Sequence, residues 1–186
     1  MAVHNILFGS TDGGVNGSNA IVNNSAEFYV DLGKFSSYET LTLSDTNAGD
    51  TLTDYGSVTG LQVVIEDAYG SPETTVDVAL YHTPDDGWTD AIEVNPADAE
   101  DDKQNIFVGD EDNIWGKTWG TEDINEISIK IFNPLEPEGG IALRGTFVYL
   151  IVTYTPTTDI PSIRQYLQLS SGLIKLGEGS GKTIIS

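Results

Sequence analysis

Cysteine is absent from the 186 residues, and histidine occurs only at His4 and His82. The first absence excludes a disulfide scaffold, a thiolate metal site and a cysteine nucleophile. Two histidines leave no room for a multi-histidine zinc site. Basic residues are also scarce: 8 Lys and Arg stand against 29 Asp and Glu, a formal net charge of −21. So acidic a chain repels phosphate backbones, and no nucleic-acid partner is expected. No apolar run approaches the roughly 18 residues of a membrane helix, so no membrane partner is expected either. Residues 1–9 lack a basic stretch followed by an apolar one, and no secretory signal is read there.

Good helix formers are few, and turn formers are many. Twenty Gly and seven Pro are spread along the chain among abundant Thr, Asp, Ser and Asn. The apolar residues recur with period two. Phe28, Val30 and Leu32 alternate with Tyr29 and Asp31; Leu61, Val63 and Ile65 with Gln62, Val64 and Glu66; Val76, Val78 and Leu80 with Asp77, Ala79 and Tyr81; Ile127, Ile129 and Ile131 with Ser128 and Lys130. Each reads as a strand with one buried and one wet face. Polar turn clusters at 47–50, 69–72 and 83–87 separate them. Short strands divided by such turns predict an all-β antiparallel sandwich or barrel. Helix is expected only as single turns, at 97–104 after Pro96 and at 121–125, where Thr121 is the expected cap.

Residues 141–154 are apolar on both faces. Leu143, Phe147, Tyr149 and Ile151 fall on one, and Val148, Leu150, Val152 and Tyr154 on the other. Both faces need cover. One is assigned to the core, and the other to an arm, a neighbouring subunit or a loop of the same chain.

The ends differ from the middle. Residues 9–25 are rich in Gly, Asn and Ser, and residues 1–25 are expected to form an extended N-terminal arm. The body is expected over 26–156, and a C-terminal arm with short strands over 157–186. Up to Pro156 the chain holds 27 acids and 5 bases, net −22; beyond it Asp159 and Glu178 face Arg164, Lys175 and Lys182, net +1. Arg164, Tyr166, Leu167, Leu169, Leu173, Ile174, Lys175, Leu176, Lys182 and Ile184 are the candidate interaction residues. They lie in or beside strand-like runs too short to fold alone, suited to adding onto another sheet edge.

Catalytic patterns do not assemble. Neither histidine has a nucleophile motif beside it, and His82 reads as a surface strand terminus. The run from Gly177 to Thr183 is one residue short of a phosphate loop and has no helix to follow, so a glycine-rich hairpin is expected between Leu176 and Thr183. Two acidic clusters, Asp98 to Asp102 and Asp110, Glu111 and Asp112, are the calcium candidates, but neither has EF-hand or repeat spacing. No metal, no cofactor and no enzymatic activity are expected. Trp88, Trp115 and Trp119 are candidates for a sugar platform, or for core and loop-pinning roles.

Residues 27–154 resemble a β-sandwich domain found in virion proteins of tailed bacteriophages and related prophages. Three segments carry the resemblance. Residues 52–66, LTDYGSVTGLQVVIE, are similar to the family's turn-Gly strand opening. Residues 114–125, IWGKTWGTEDIN, are similar to its Trp-Gly-x-x-Trp turn before a strand. The closing strand is FVYLIVTY, residues 147–154. The Trp-Gly-x-x-Trp element is the most specific of the three. Trp115, Gly116 and Trp119 are expected to be structural there, one indole capping the open end of the sandwich. The resemblance implies a jelly-roll type sandwich and a virion location, and it carries no catalytic residues. The family's copies serve in capsid decoration, tails and fibres alike; the acidic body, the arms at both ends, the two-faced apolar strand and the lack of active-site chemistry favour a decoration or cement protein that binds the major capsid protein or other virion proteins. Association as a trimer or dimer is also expected. The alternatives are a tail, baseplate or fibre component and, from another class, a carbohydrate-binding module.

Overall fold

The computed structural model describes residues 1–31, 40–46, 55–70, 75–96, 103–133, 141–156, 168–169 and 172–173. Contacts divide the chain into Met1–Pro156 and Thr157–Ser186. In the second unit the described residues are two short antiparallel strands, Gln168–Leu169 and Gly172–Leu173. The other tail candidates, Arg164, Tyr166, Leu167, Ile174, Lys175, Leu176, Lys182 and Ile184, lie outside the described residues, as do the hairpin expected after Leu176 and the first acidic cluster.

The first unit is an all-β antiparallel sandwich. Its strands are β1 (Ala2–Ile6), β2 (Phe8–Gly13), β3 (Phe28–Asp31), β4 (Thr40–Thr46), β5 (Ser57–Ala68), β6 (Val76–His82), β7 (Gly87–Trp88), β8 (Ile92–Val94), β9 (Gln104–Val108), β10 (Ser128–Phe132), β11 (Ile141–Gly145) and β12 (Phe147–Thr155). One sheet runs β1-β12-β5-β9. The other runs β2-β4-β10-β6-β7, with β8 also on β6. A third pair, β3 with β11, joins the two: Val15 bridges to Tyr29 on one side, and Tyr69 bridges to Arg144 on the other. This order does not identify a jelly roll.

The period-two pattern sets which residues face inward. Val30, Leu41, Leu43, Leu61, Val63, Ile65, Val78, Leu80, Ile129, Ile131, Leu150 and Val152 come from both sheets and are fully buried in one cluster. Each such aliphatic side chain contributes about 1.5–3 kcal/mol by leaving water. The alternation fails on the outer face of β6 and β5, where Ala79 and Val64 are buried too.

Three expectations are corrected. Residues 1–25 are not an arm. β1 pairs with β12 from Ala2↔Tyr154 to Ile6↔Leu150, β2 pairs with β4, and Ile6, Phe8 and Ala20 are in the core. The polar composition of 9–25 hid the inward residues on either side of the strand switch at Leu7. The two-faced segment is two strands, broken at Thr146. Leu143 and Val148 both enter the core although five residues apart, so the inward phase flips between them. The break falls beside Gly145, where an added Cβ would meet Ile65 and Phe28 at 2.9–3.0 Å. The helical turn α1 (Thr121–Asn125) is present, but its N-cap is Gly120. Asp123 Oδ2 accepts from the Gly120 N–H at 2.7 Å, while the Thr121 hydroxyl accepts from the Tyr55 N–H at 3.0 Å. At the other expected helix, residues 97–102 lie outside the described residues, and Gln104 is in β9.

Candidate functional site

Sequence singled out the Trp-Gly-x-x-Trp element, and the structure makes it a clip over one end of the sandwich. Ile114 to Lys117 is a β-turn closed by the Lys117 N–H donating to the Ile114 carbonyl at 3.0 Å. Its central residues are both left-handed, Trp115 at φ 54° and Gly116 at φ 68°, the signature of a type I′ turn. Glycine takes this region freely, but for a bulky side chain it costs about 1–2 kcal/mol. Trp115 is held there by three anchors. Its N–H donates to Asn113 Oδ1 at 2.8 Å, its indole Nε1–H donates to the Leu61 carbonyl at 2.8 Å, and the ring is only 5% exposed.

Trp119 locks the same turn from outside. Its Nε1–H donates to the Ile114 carbonyl at 2.8 Å, and its ring meets His82 edge-on at 4.8 Å between centroids. His82 is therefore not a surface terminus: it is 5% exposed, with Nε2 3.0 Å from the Thr118 carbonyl and Nδ1 2.9 Å from Asp85 Oδ2. Lys117 Nζ reaches the same Asp85 oxygen at 2.7 Å. The Lys117 ammonium, and then His82, hold the Asp85 carboxyl below its usual value.

The loop before the turn lies directly on β5. The Leu61 N–H donates to the Asn113 carbonyl at 2.8 Å, and Gln62 Nε2 donates to the Gly109 carbonyl at 2.9 Å. Gly60 permits that approach, since a Cβ there would stand 2.2 Å from the Glu111 backbone. The calcium candidates Asp110, Glu111 and Asp112 sit in this loop. Asp110 Oδ1 accepts from the Asp112 N–H at 2.9 Å, so that carboxylate shapes the loop. Among the described residues no three His, Asp or Glu side chains converge on a metal position.

A second cluster ties the corner between the two sheets. Glu27 Oε1 accepts from Lys103 Nζ at 2.7 Å and from the Tyr69 hydroxyl at 3.1 Å. Arg144 Nη1 donates to the Tyr69 oxygen at 2.9 Å, and its guanidinium lies 4.8 Å from the Tyr29 ring centre. The hydrogen bond from Lys103 is the largest influence on Glu27 and holds its carboxyl below the usual range; burial pushes the Tyr69 hydroxyl up. Sequence reasoning missed this cluster, because its members come from four separate segments.

The three tryptophans do not form one platform. Trp115 and Trp119 are buried, while Trp88 is 37% exposed on the outer face of the second sheet. Tyr81 packs edge-on against Trp88, and Lys130 Nζ lies between the Trp88 and Phe132 rings, 4.5 Å and 4.6 Å from their centres. No helix among the described residues is long and apolar enough to cross a membrane.

No family model, no curated protein and no solved structure matches this chain.

Proposed function

We propose that the chain is a structural protein of a tailed-phage virion, acting as a capsid decoration or cement protein. The observation that carries the reading is the Trp-Gly-x-x-Trp element, the most specific part of the resemblance. Its side chains are spent on hydrogen bonds and packing within the sandwich, which is how a structural signature is used. The charge layout supports the reading. An acidic body of net −22 stays soluble at high copy number. The near-neutral unit from Thr157 to Ser186 is the anchor, adding its strands to a capsid or neighbouring edge, and many weak anchors on one lattice gain by multivalency.

The test is quantitative mass spectrometry of purified virions, comparing the full chain with one ending at Pro156. Hundreds of copies per particle, lost on truncation, support a lattice-bound cement protein. A few to tens of copies move the protein to the tail, baseplate or fibre. Absence from virions overturns the structural reading. One observation favours a second reading in that event: Trp88, with Tyr81 and Phe132 beside it, presents partly exposed aromatic surface of the kind that stacks on sugar rings. Glycan-array binding abolished by Trp88→Ala would establish it.

A further inference from the structure

An outer strand offers unpaired N–H and C=O groups along its free edge, and proteins protect such edges with charge, bulges, proline or short length. Three of the four outer positions carry such a device among the described residues. β9 meets β5 through a register break between Ile65 and Ala68. β2 contains Asp12 and the glycines Gly9 and Gly13. β7 and β8 are two and three residues long, and β8 carries Glu93. β1 has none. Its sequence AVHNI holds no Asp, Glu, Lys, Arg or Pro, its one histidine, His4, lies on the same face as the buried Ile6, and its ladder to β12 runs through five residue pairs without a break.

Charge points the same way. The four strands of the first sheet, 5, 9, 12 and 5 residues long, hold only two charged side chains, Glu66 and Asp67, at the far end of β5. The strands of the second sheet hold Asp12, Asp45, Asp77, Glu93 and Lys130. Beside the β1 edge, Met1 is 82% and Val3 63% exposed, and Asn5 is exposed too. Val3 and Asn5 stand on the outer face, opposite Thr153 and Ile151.

The geometry points to β1 as a homodimer edge: β1 of one copy pairs antiparallel with β1 of a second copy about a two-fold axis, joining two four-stranded sheets into one of eight. The occupant follows from charge. Two copies at −21 repel each other over most of their surface and can approach closely only where charge is missing. A basic partner gains nothing on a neutral edge. An uncharged edge brought against its own copy is self-complementary, as a two-fold contact requires. This inference stands on the edge and the charge layout and does not rest on the virion reading.

Two measurements on the full chain test it. Sedimentation or light scattering gives twice the 20.0 kDa chain mass for the parent, and the monomer mass for Val3→Lys with Asn5→Lys, which sets like charges opposite each other across the axis. Both side chains are exposed, so the variant's circular dichroism stays that of the parent. The chain has no cysteine, so Val3→Cys with Asn5→Cys supplies the only thiols. Mild oxidation then gives a covalent dimer on a non-reducing gel for an axis at Val3, His4 or Asn5, the registers in which most of the two strands overlap. A monomeric parent overturns the proposal, as does an oligomer larger than a dimer or one that survives the lysine pair. Dissociation by lysine without a covalent dimer also overturns it, because another strand, such as one from a neighbouring tail, then fills the edge. A covalent dimer from a parent that is itself dimeric sustains it even if the lysine variant fails to fold.

Discussion

Replacing Trp115 by alanine removes the pin between the 109–120 loop and β5. A buried tryptophan cut to alanine costs about 3–5 kcal/mol, combining lost burial with the cavity left behind. Loss of the indole N–H also leaves the Leu61 carbonyl without that donor, at about 1–3 kcal/mol if water does not replace it. The left-handed backbone gives little back, because alanine at φ 54° is strained as well. The truncation cost alone, about 3–5 kcal/mol, is taken as the expected loss, a lower bound on the two together. For a unit of this size, 3–5 kcal/mol corresponds to a fall in Tm of roughly 6–20 °C, at about 2–4 °C per kcal/mol. Differential scanning calorimetry on the full chain, with a urea melt beside it, reads the effect. Trp115→Phe separates the two contributions: it keeps most of the ring volume and loses the hydrogen bond, so its Tm falls between parent and alanine variant. A Tm for Trp115→Ala within about 2 °C of the parent would refute the clip, because a 3 kcal/mol loss cannot hide in so small a shift.

Gly60→Ala drives a Cβ into the Glu111 backbone at 2.2 Å and is expected to lower the urea midpoint by the equivalent of about 1–3 kcal/mol with an unchanged m-value. Glu27→Gln is expected to lower stability at neutral pH. Its folded-state pKa is depressed, so the carboxylate's contribution is present above the unfolded value near 4.5 and is lost as pH falls through the folded value. Urea midpoints of parent and variant should therefore converge on acidification below pH 4.5, and a difference that persists in acid would remove Lys103 and Tyr69 as the cause. Gly109→Ala, at φ 82° and 2.4 Å from the Leu61 carbonyl, is expected to lower the Tm while Gly116→Ala, in open space, is the milder change. Equal losses would mean that backbone strain, rather than contact with β5, dominates the loop.

The strands were legible where one face is apolar and the other wet. Phe28 to Asp31, Val76 to Tyr81 and Ser128 to Ile131 lie in strands because the alternation itself is the fold's demand. Legibility failed where composition and position disagree. Ala2, His4 and Ile6 alternate correctly, but the polar stretch after Phe8 masked them, and no local signal says that β1 finds its partner about 150 residues away in β12. His82 looked like a surface terminus because its cover, Trp119 and the Thr118 carbonyl, arrives from a different loop. The same limit hid the Glu27, Tyr69, Lys103 and Arg144 cluster. The Trp-Gly element could be read because a type I′ turn is a local event written into two adjacent residues, although the indole's acceptor at Leu61 could not.

The two sheets differ in how much charge their strands carry. A sandwich needs apolar residues on only one face of each sheet, so the outer faces are free to carry charge. The second sheet does so, with five charged side chains spread over five of its strands. The first carries charge only at the far end of β5, in Glu66 and Asp67, although 20% of the whole chain is charged. Its outer face instead carries Val3, Ile151, Tyr149 and Phe107, and Phe107 is 56% exposed. Acidity that was spread evenly would make every approach between copies repulsive. Acidity withheld from one sheet leaves one direction of approach open and closes the others. In the proposed dimer that asymmetry selects the β1 edge as the contact, and it makes that edge the place to probe first.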